Sequence, residues 1–194
     1  MPPKTKITRE MIIDAAFAIA RGEGADKITA RSISEHLKCS TQPVLYQFST
    51  IEEIKQAVYQ KADEFHGSYL MNMEKEYEDP MIVIGINYIR FAMEERHLFR
   101  FLFQSNEFSG TSMFQLVDSA DIAPILTVFM QEMGTTMEET KDIFTTLFIY
   151  IHGYASLFAN NEMVYEEKDL IEKLTKVFYA AVYAAKGGYD EENI

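Results

Sequence analysis

The segment KCSTQPVLYQFSTIEEI, residues 38–54, puts a turn, a proline, a tyrosine and a helix-capping signal into very little chain. After a turn at Lys38 and Cys39, Ser40 is an N-cap candidate. Pro43 then falls in the first turn of the helix that follows, where a missing N–H costs little. The polar cluster is therefore read as a helix start. That helix ends near Phe48, because Thr50 followed by Glu53 is a capping-box pattern. It opens a longer helix through Ile54, Val58, Ala62 and Phe65 that reaches the low seventies.

Upstream, REMIIDAAFAIA, residues 9–20, sets Ile12, Ala16, Ile19 and Ala20 on one helical face, with Ile13 and Phe17 beside them. Thr8 is placed to cap this helix, and Gly22 and Gly24 to stop it. In TARSISEHL, Thr29 is the cap and Ala30, Ile33 and Leu37 are the spaced apolar set of a short second helix. Downstream, Asp79-Pro80 opens a helix to about Glu95, and HLFRFLF forms a short, densely apolar one. NEFSGTSMFQ reads as an irregular connection. A helix near 121–133 stops at Gly134, and Thr136 with Glu139 makes a further capping box. It precedes IFTTLFIYIHGYASLFA, residues 143–159, which is apolar around nearly its whole circumference and so must be covered on every side. His152, the interspersed Thr and Tyr, and its short length argue against a membrane span. A last helix, about 167–186, carries Leu170, Leu174, Val177, Phe178, Ala181 and Val182. No stretch alternates like a half-buried strand, so the fold class is all-α with about nine helices.

With 47% hydrophobic and 25% charged residues among 194, the chain is an ordinary globular one with a buried core. MPPKTKITRE leads into no apolar run and no small-residue cleavage site, which points to a cytoplasmic protein. The single cysteine, Cys39, excludes an intrachain disulfide and argues against a cysteine-based metal site. A net charge of -12 disfavours nucleic acid until it is divided along the chain. Residues 1–50 hold seven Lys/Arg against five Asp/Glu, a local +2 on a body of -14. Such a head can bind phosphates locally while the body rejects non-specific polyanion contact.

Three short helices, the second and third forming a helix-turn-helix, then a long connecting helix and an all-α body, resemble the TetR family of transcriptional regulators. The resemblance is strongest over residues 8–58. AAFAIARGEGADKITARSISEHLKCSTQPVLYQFSTIEEI is similar, without a gap, to the family's Ala-rich first helix, glycine break, T-x-R-x-I-A, turn, Ser-led recognition helix, aromatic and S-x-x-E-E-L. Over the remainder only helix number, order and lengths are similar. The chain departs from the pattern at Lys38, where the family has glycine, at Leu45 beside Tyr46, where it has tyrosine, and at Ile51, where it has lysine. Tyr46 and Lys55 are the replacements for the two phosphate contacts affected.

The resemblance implies a DNA-binding domain over residues 1–50 and a helical ligand-binding and dimerisation domain over 51–194. It implies a homodimeric repressor that binds a palindromic double-stranded operator and is released by a small-molecule effector. The third helix would enter the major groove, presenting Ser40, Thr41, Gln42 and Pro43. Gln42 is the candidate for base readout through a bidentate contact to adenine. Thr29 and Arg31 are placed for phosphate, and Lys4, Lys6 and Arg9 for a basic arm. Phe65, Tyr69, Met73, Tyr88, Phe91, Phe103, Phe108 and Met130, with Met113 and Phe114, are each core candidates. As a set of adaptable Met and flat aromatics they suit an apolar or aromatic ligand. His152, Gly153, Ala155, Phe178 and Ala181 are the expected dimer contacts, with residues 143–159 and 167–186 of each subunit making a four-helix core and Gly153 at the close crossing.

A second reading is a helical-bundle enzyme or small-molecule carrier. Glu94 and His97 have the Glu-x-x-His spacing of di-iron bundles, but such sites need a second copy and further carboxylates, and the sequence has no second copy. His36 and His66 read as surface or packing residues, and Cys39 as a small core hydrophobe. No nucleophile-base grouping or phosphate-binding glycine loop is visible. The expectation is a non-enzyme with no cofactor and no metal.

Overall fold

The structure, a computed structural model, describes residues 7–72, 79–105, 117–118, 122–161, 163–164 and 166–188. Among them are nine α-helices and no strand. They are α1 Arg9–Glu23, α2 Ala30–His36, α3 Gln42–Gln47, α4 Ile51–Leu70, α5 Pro80–Glu94, α6 Arg96–Phe103, α7 Ala123–Met133, α8 Met137–Asn160 and α9 Glu167–Tyr183. The chain divides into two compact units, Met1–Tyr69 with Phe91–Glu107, and Leu70–Arg90 with Phe108–Ile194. Residues 1–50 fall wholly in the first, which also takes in most of α4 and all of α6.

In the first unit α1 is the hub, and α2, α3 and α6 pack on it. Its start is fixed by Thr8, whose hydroxyl oxygen accepts the Met11 N–H at 3.2 Å. Its stop is Gly24, at φ 105°, while Gly22 stays inside the helix. A side chain at Gly24 would be strained by that φ and would meet the Asp26 carboxylate at 2.8 Å. The chain then makes a single 3-10 turn, Ala25–Lys27, absent from the sequence reading. The buried interior is Ile12, Ala16, Ile19, Ile33, Val44, Ile54, Val58, Leu98, Phe99 and Leu102. Fully burying side chains of this size stabilises by about 1.5–3 kcal/mol each.

The turn between α2 and α3 differs from expectation at its far end. Ser40 does not cap α3, which begins at Gln42 after Thr41, and no side chain caps it. Pro43 sits inside the first turn as expected. The turn itself is closed by Lys38 in the left-handed region, φ 53°. At the start of α4, Thr50 accepts the Glu53 N–H at 3.1 Å. The return arm of that box goes one residue further back, with the Glu53 carboxylate accepting the Ser49 N–H at 2.9 Å.

The second unit is built on a core of Ile82, Ile86, Phe129, Ile143, Leu147, Leu174 and Phe178. Asp79 accepts the Met81 N–H at 2.9 Å and starts α5. α7 ends on Gly134 in the left-handed conformation, φ 59°. Both arms of the Thr136–Glu139 box form at the start of α8, at 3.3 and 2.6 Å. The close approach of helices inside this unit falls on Gly85 of α5. A Cβ there would lie 2.8 Å from Leu174 Cδ2 and 3.0 Å from Ile151 Cδ1. Arg90 of α5 and Glu167 of α9 form a forked ion pair at 2.7 to 3.1 Å.

Candidate nucleic-acid interface

α3 is six residues long and buries one of them, Val44. At about 100° per residue, Leu45, Gln42 and Tyr46 share the arc opposite Val44. Leu45 is 62% and Tyr46 88% exposed, and Ser40, Thr41 and Gln42 are exposed with them. The face therefore offers an amide, two hydroxyls, a phenol and an isobutyl group, with no acidic side chain on the helix. Large apolar groups left in water on a short helix are the kind of feature that marks a contact surface.

At the neighbouring end of α2, the Thr29 hydroxyl oxygen accepts the Ser32 N–H at 3.0 Å and completes a capping box with Ser32. Arg31 is exposed and donates to Glu35, one turn on, at 2.8 Å. Lys55 of α4 is half-buried. Lys4 and Lys6 lie outside the described residues. Arg9 has a more specific setting than a basic arm implies. Its guanidinium donates to the Gln47 carbonyl oxygen at 2.9 Å and to the Glu53 carboxylate at 3.0 Å, and lies 3.8 Å over the Phe48 ring. Gln47 in turn donates from its side-chain amide to the Ile7 carbonyl oxygen at 3.2 Å. The Ser49 N–H, and then Arg9, hold the Glu53 carboxyl below the usual carboxylate range. These ties span some forty residues of chain, and no local pattern signals them.

The residues expected to line a ligand site are distributed over both units. In the first, the His66 ring centroid lies 4.8 Å from Phe91 and 5.0 Å from Phe103, and Phe65 and Tyr69 pack on Phe91. Phe91 is fully buried, and burial pushes the His66 imidazole down to about 4. His66 is thus a packing residue, and His36 is exposed. In the second unit Tyr88 shares a hydrogen bond with His152 Nδ1 at 2.9 Å. Phe144, Phe148 and His152 stack along α8. Burial raises the Tyr88 phenol well above its ordinary value and lowers the His152 imidazole. Met130 is half-buried on α7. Met73, Phe108, Met113 and Phe114 lie outside the described residues.

Of the residues expected at a dimer contact, Ala155, Phe178 and Ala181 are buried by the chain's own packing. Gly153 is exposed, and a Cβ built on it meets nothing within 4 Å. It belongs to an outward stripe of α8 with Ile149, 58% exposed, and Leu157, 50% exposed. Tyr179 and Tyr183 of α9 are also exposed. The sequence did not single out Ile149 and Leu157, because a helix apolar on all sides does not say which side its own chain covers.

Glu94 accepts a hydrogen bond from the Tyr69 hydroxyl at 2.6 Å. His97 lies near Gly24 and Asp26. Among the described residues no group of three or more His, Cys, Asp or Glu is placed to hold a metal ion. No helix of the described residues is long and apolar enough to cross a membrane. Comparison with protein-family models, with curated proteins and with solved structures found no match.

Proposed function

We propose that this chain is a ligand-responsive transcriptional regulator of the TetR kind. In this reading it is a cytoplasmic repressor that binds a palindromic operator in double-stranded DNA as a homodimer. A small, mostly apolar or aromatic effector releases it. The observation that carries the reading is the helix-turn-helix over α2 and α3. Its second helix is held by Val44 and turns Gln42, Leu45 and Tyr46 outward, the arrangement a major-groove reader needs.

The outward stripe Ile149, Gly153 and Leu157 supports the homodimer, since a second copy related by a twofold axis would cover it with the same stripe. Two heads carried by such a dimer would read half-sites about 34 Å apart. The aromatic grouping of Tyr88, Phe148 and half-buried His152 supports an effector of flat apolar chemistry.

The test is selection of duplexes from a random DNA pool by the purified full chain at low salt. A palindromic consensus is expected, with affinity falling steeply as salt rises. On that consensus Gln42→Ala should cost about 1–3 kcal/mol and relax base preference, whereas Arg31→Ala should weaken all sequences alike. Failure to enrich any duplex would remove the reading. Among the described residues a Cβ at Gly153 meets nothing within 4 Å, so for Gly153→Leu a shift from dimer to monomer on sedimentation, with the melting temperature kept, would locate the interface on that stripe.

A further inference from the structure

The recognition helix of this chain is too short to hold its own direction. Six residues form little more than a turn and a half, and an isolated helix of that length is unstable in water. Its N-terminal end has no side-chain cap. Val44 fixes its middle, and Phe48, 3% exposed, anchors the residue after it. A further constraint on its C-terminal end is the knot around Arg9. One guanidinium there bonds the last carbonyl of α3 through Gln47, covers the Phe48 ring, and pairs with Glu53 in the first turn of α4. Glu53 uses its other oxygen on the Ser49 N–H between the two helices. Gln47 reaches back to Ile7, just before α1.

We propose that Arg9 is a positioning residue for DNA reading. It sets the angle of α3 by tying that helix's C-terminal end to the starts of α1 and α4, and so governs discrimination between sequences rather than attraction to phosphate. The inference rests on the DNA-binding reading above. Its physical basis is the fork geometry of Arg. A planar guanidinium donates in two directions at once, here to a carbonyl and to a carboxylate, while its face lies on a ring. A lysine ammonium carries the same charge but lacks the fork and the plane. Base readout tolerates little misplacement of the reading side chains, because a bidentate contact needs both bonds in register. Phosphate attraction depends on charge and is far more forgiving.

The two roles predict opposite results for the same variants. Binding is measured on a duplex selected by the wild-type chain and on a random-sequence duplex of equal length, over a range of salt, well below the thermal transition. The positioning role predicts that Arg9→Ala reduces the ratio of selected to random affinity about tenfold, and that Arg9→Lys leaves it reduced. It predicts that the slope of log affinity against log salt stays unchanged for Arg9→Lys. Glu53→Gln supplies the sharpest arm. Removing a negative charge should raise affinity for both duplexes if charge alone matters, whereas loss of the knot lowers the ratio despite the more favourable charge. If Arg9→Ala does not fold, Arg9→Lys and Glu53→Gln decide the question. The proposal is overturned if Arg9→Ala weakens both duplexes equally with a slope smaller by about one and Arg9→Lys restores both, or if Glu53→Gln leaves the ratio intact. A wild-type chain that selects no duplex would overturn the DNA-binding reading itself, and this inference with it.

Discussion

α3 and α8 are helices of opposite kinds. α8 runs 24 residues, starts with both arms of a capping box and buries Ile143, Leu147, Ala155 and Phe158 along its length. α3 runs six residues, has no side-chain cap and buries Val44 alone. Local sequence and its own contacts specify the first. The second is held by residues remote in the chain, and Leu45 and Tyr46 on its outer surface are exposed. A helix of the second kind can change its exposed residues with little effect on the fold, which suits a surface that reads a variable partner. A helix of the first kind carries stability, and only its outward stripe is available for anything else.

The contrast can be broken most forcefully in the α8 core. Ile143 is fully buried, so Ile143→Ala should cost about 2–5 kcal/mol in denaturant titrations. A loss below 1 kcal/mol would mean that α8 is not the structural member of the pair.

Acid should act on the first unit through His66. The folded imidazole is held down to about 4 by burial, while the unfolded chain takes up a proton at about 6.5. Between these values the unfolded state binds more protons. The stability that neutral His66 provides is therefore complete above pH 6.5 and lost as pH falls toward 4, by on the order of 3 kcal/mol in full. Thermal midpoints of the wild type and His66→Leu across that window measure it, and parallel curves would refute it.

Caps make the comparison finer. Thr136→Ala removes the arm that receives the Glu139 N–H and should cost about 1 kcal/mol. Thr41→Ala removes no cap bond from α3 and should change stability by no more than about 0.5 kcal/mol. Equal losses would show that α3 depends on its own N-terminus after all. The smallest effect is expected in the turn that feeds α3. Lys38 sits at φ 53°, a region costing a side-chain-bearing residue about 1–2 kcal/mol, and glycine gives back part of that relief as greater freedom when unfolded. Lys38→Gly should stabilise by a few tenths of a kcal/mol, read as a small rise in melting temperature.

What the sequence made legible follows the reach of each signal. The capping box at Thr136 and Glu139, the cap at Thr29 and the start at Asp79-Pro80 are local patterns, and each stands where it was expected, while of the two expected stops, Gly22 and Gly24, the helix ends at Gly24. The N-cap of α3 falls at Thr41 rather than the expected Ser40, since successive polar residues offer equivalent caps. Arg9 looked like part of a basic arm because its partners, Gln47 and Glu53, lie 38 and 44 residues away. Gly153 is expected at a crossing between two subunits, and its outward face on α8 leaves it free for that role. The close approach inside the chain falls on Gly85, on a different helix, which the sequence reading did not single out.

Gly85 also has a consequence for how this sequence is free to drift. A single base change in a glycine codon yields only alanine, valine, serine, cysteine, arginine, tryptophan, aspartate, glutamate or a stop. At position 85 the first atom of any of these enters the space of Leu174 Cδ2 and Ile151 Cδ1. Both are the tips of flexible side chains, so alanine asks them to retreat by a few tenths of an ångström. Each of the others adds bulk, polarity or charge to a packed apolar seam, and overpacking of that kind costs about 1–3 kcal/mol or more. Mutation one step at a time therefore has a single tolerable exit from Gly85. Packing inside the chain is enough to hold the codon nearly fixed.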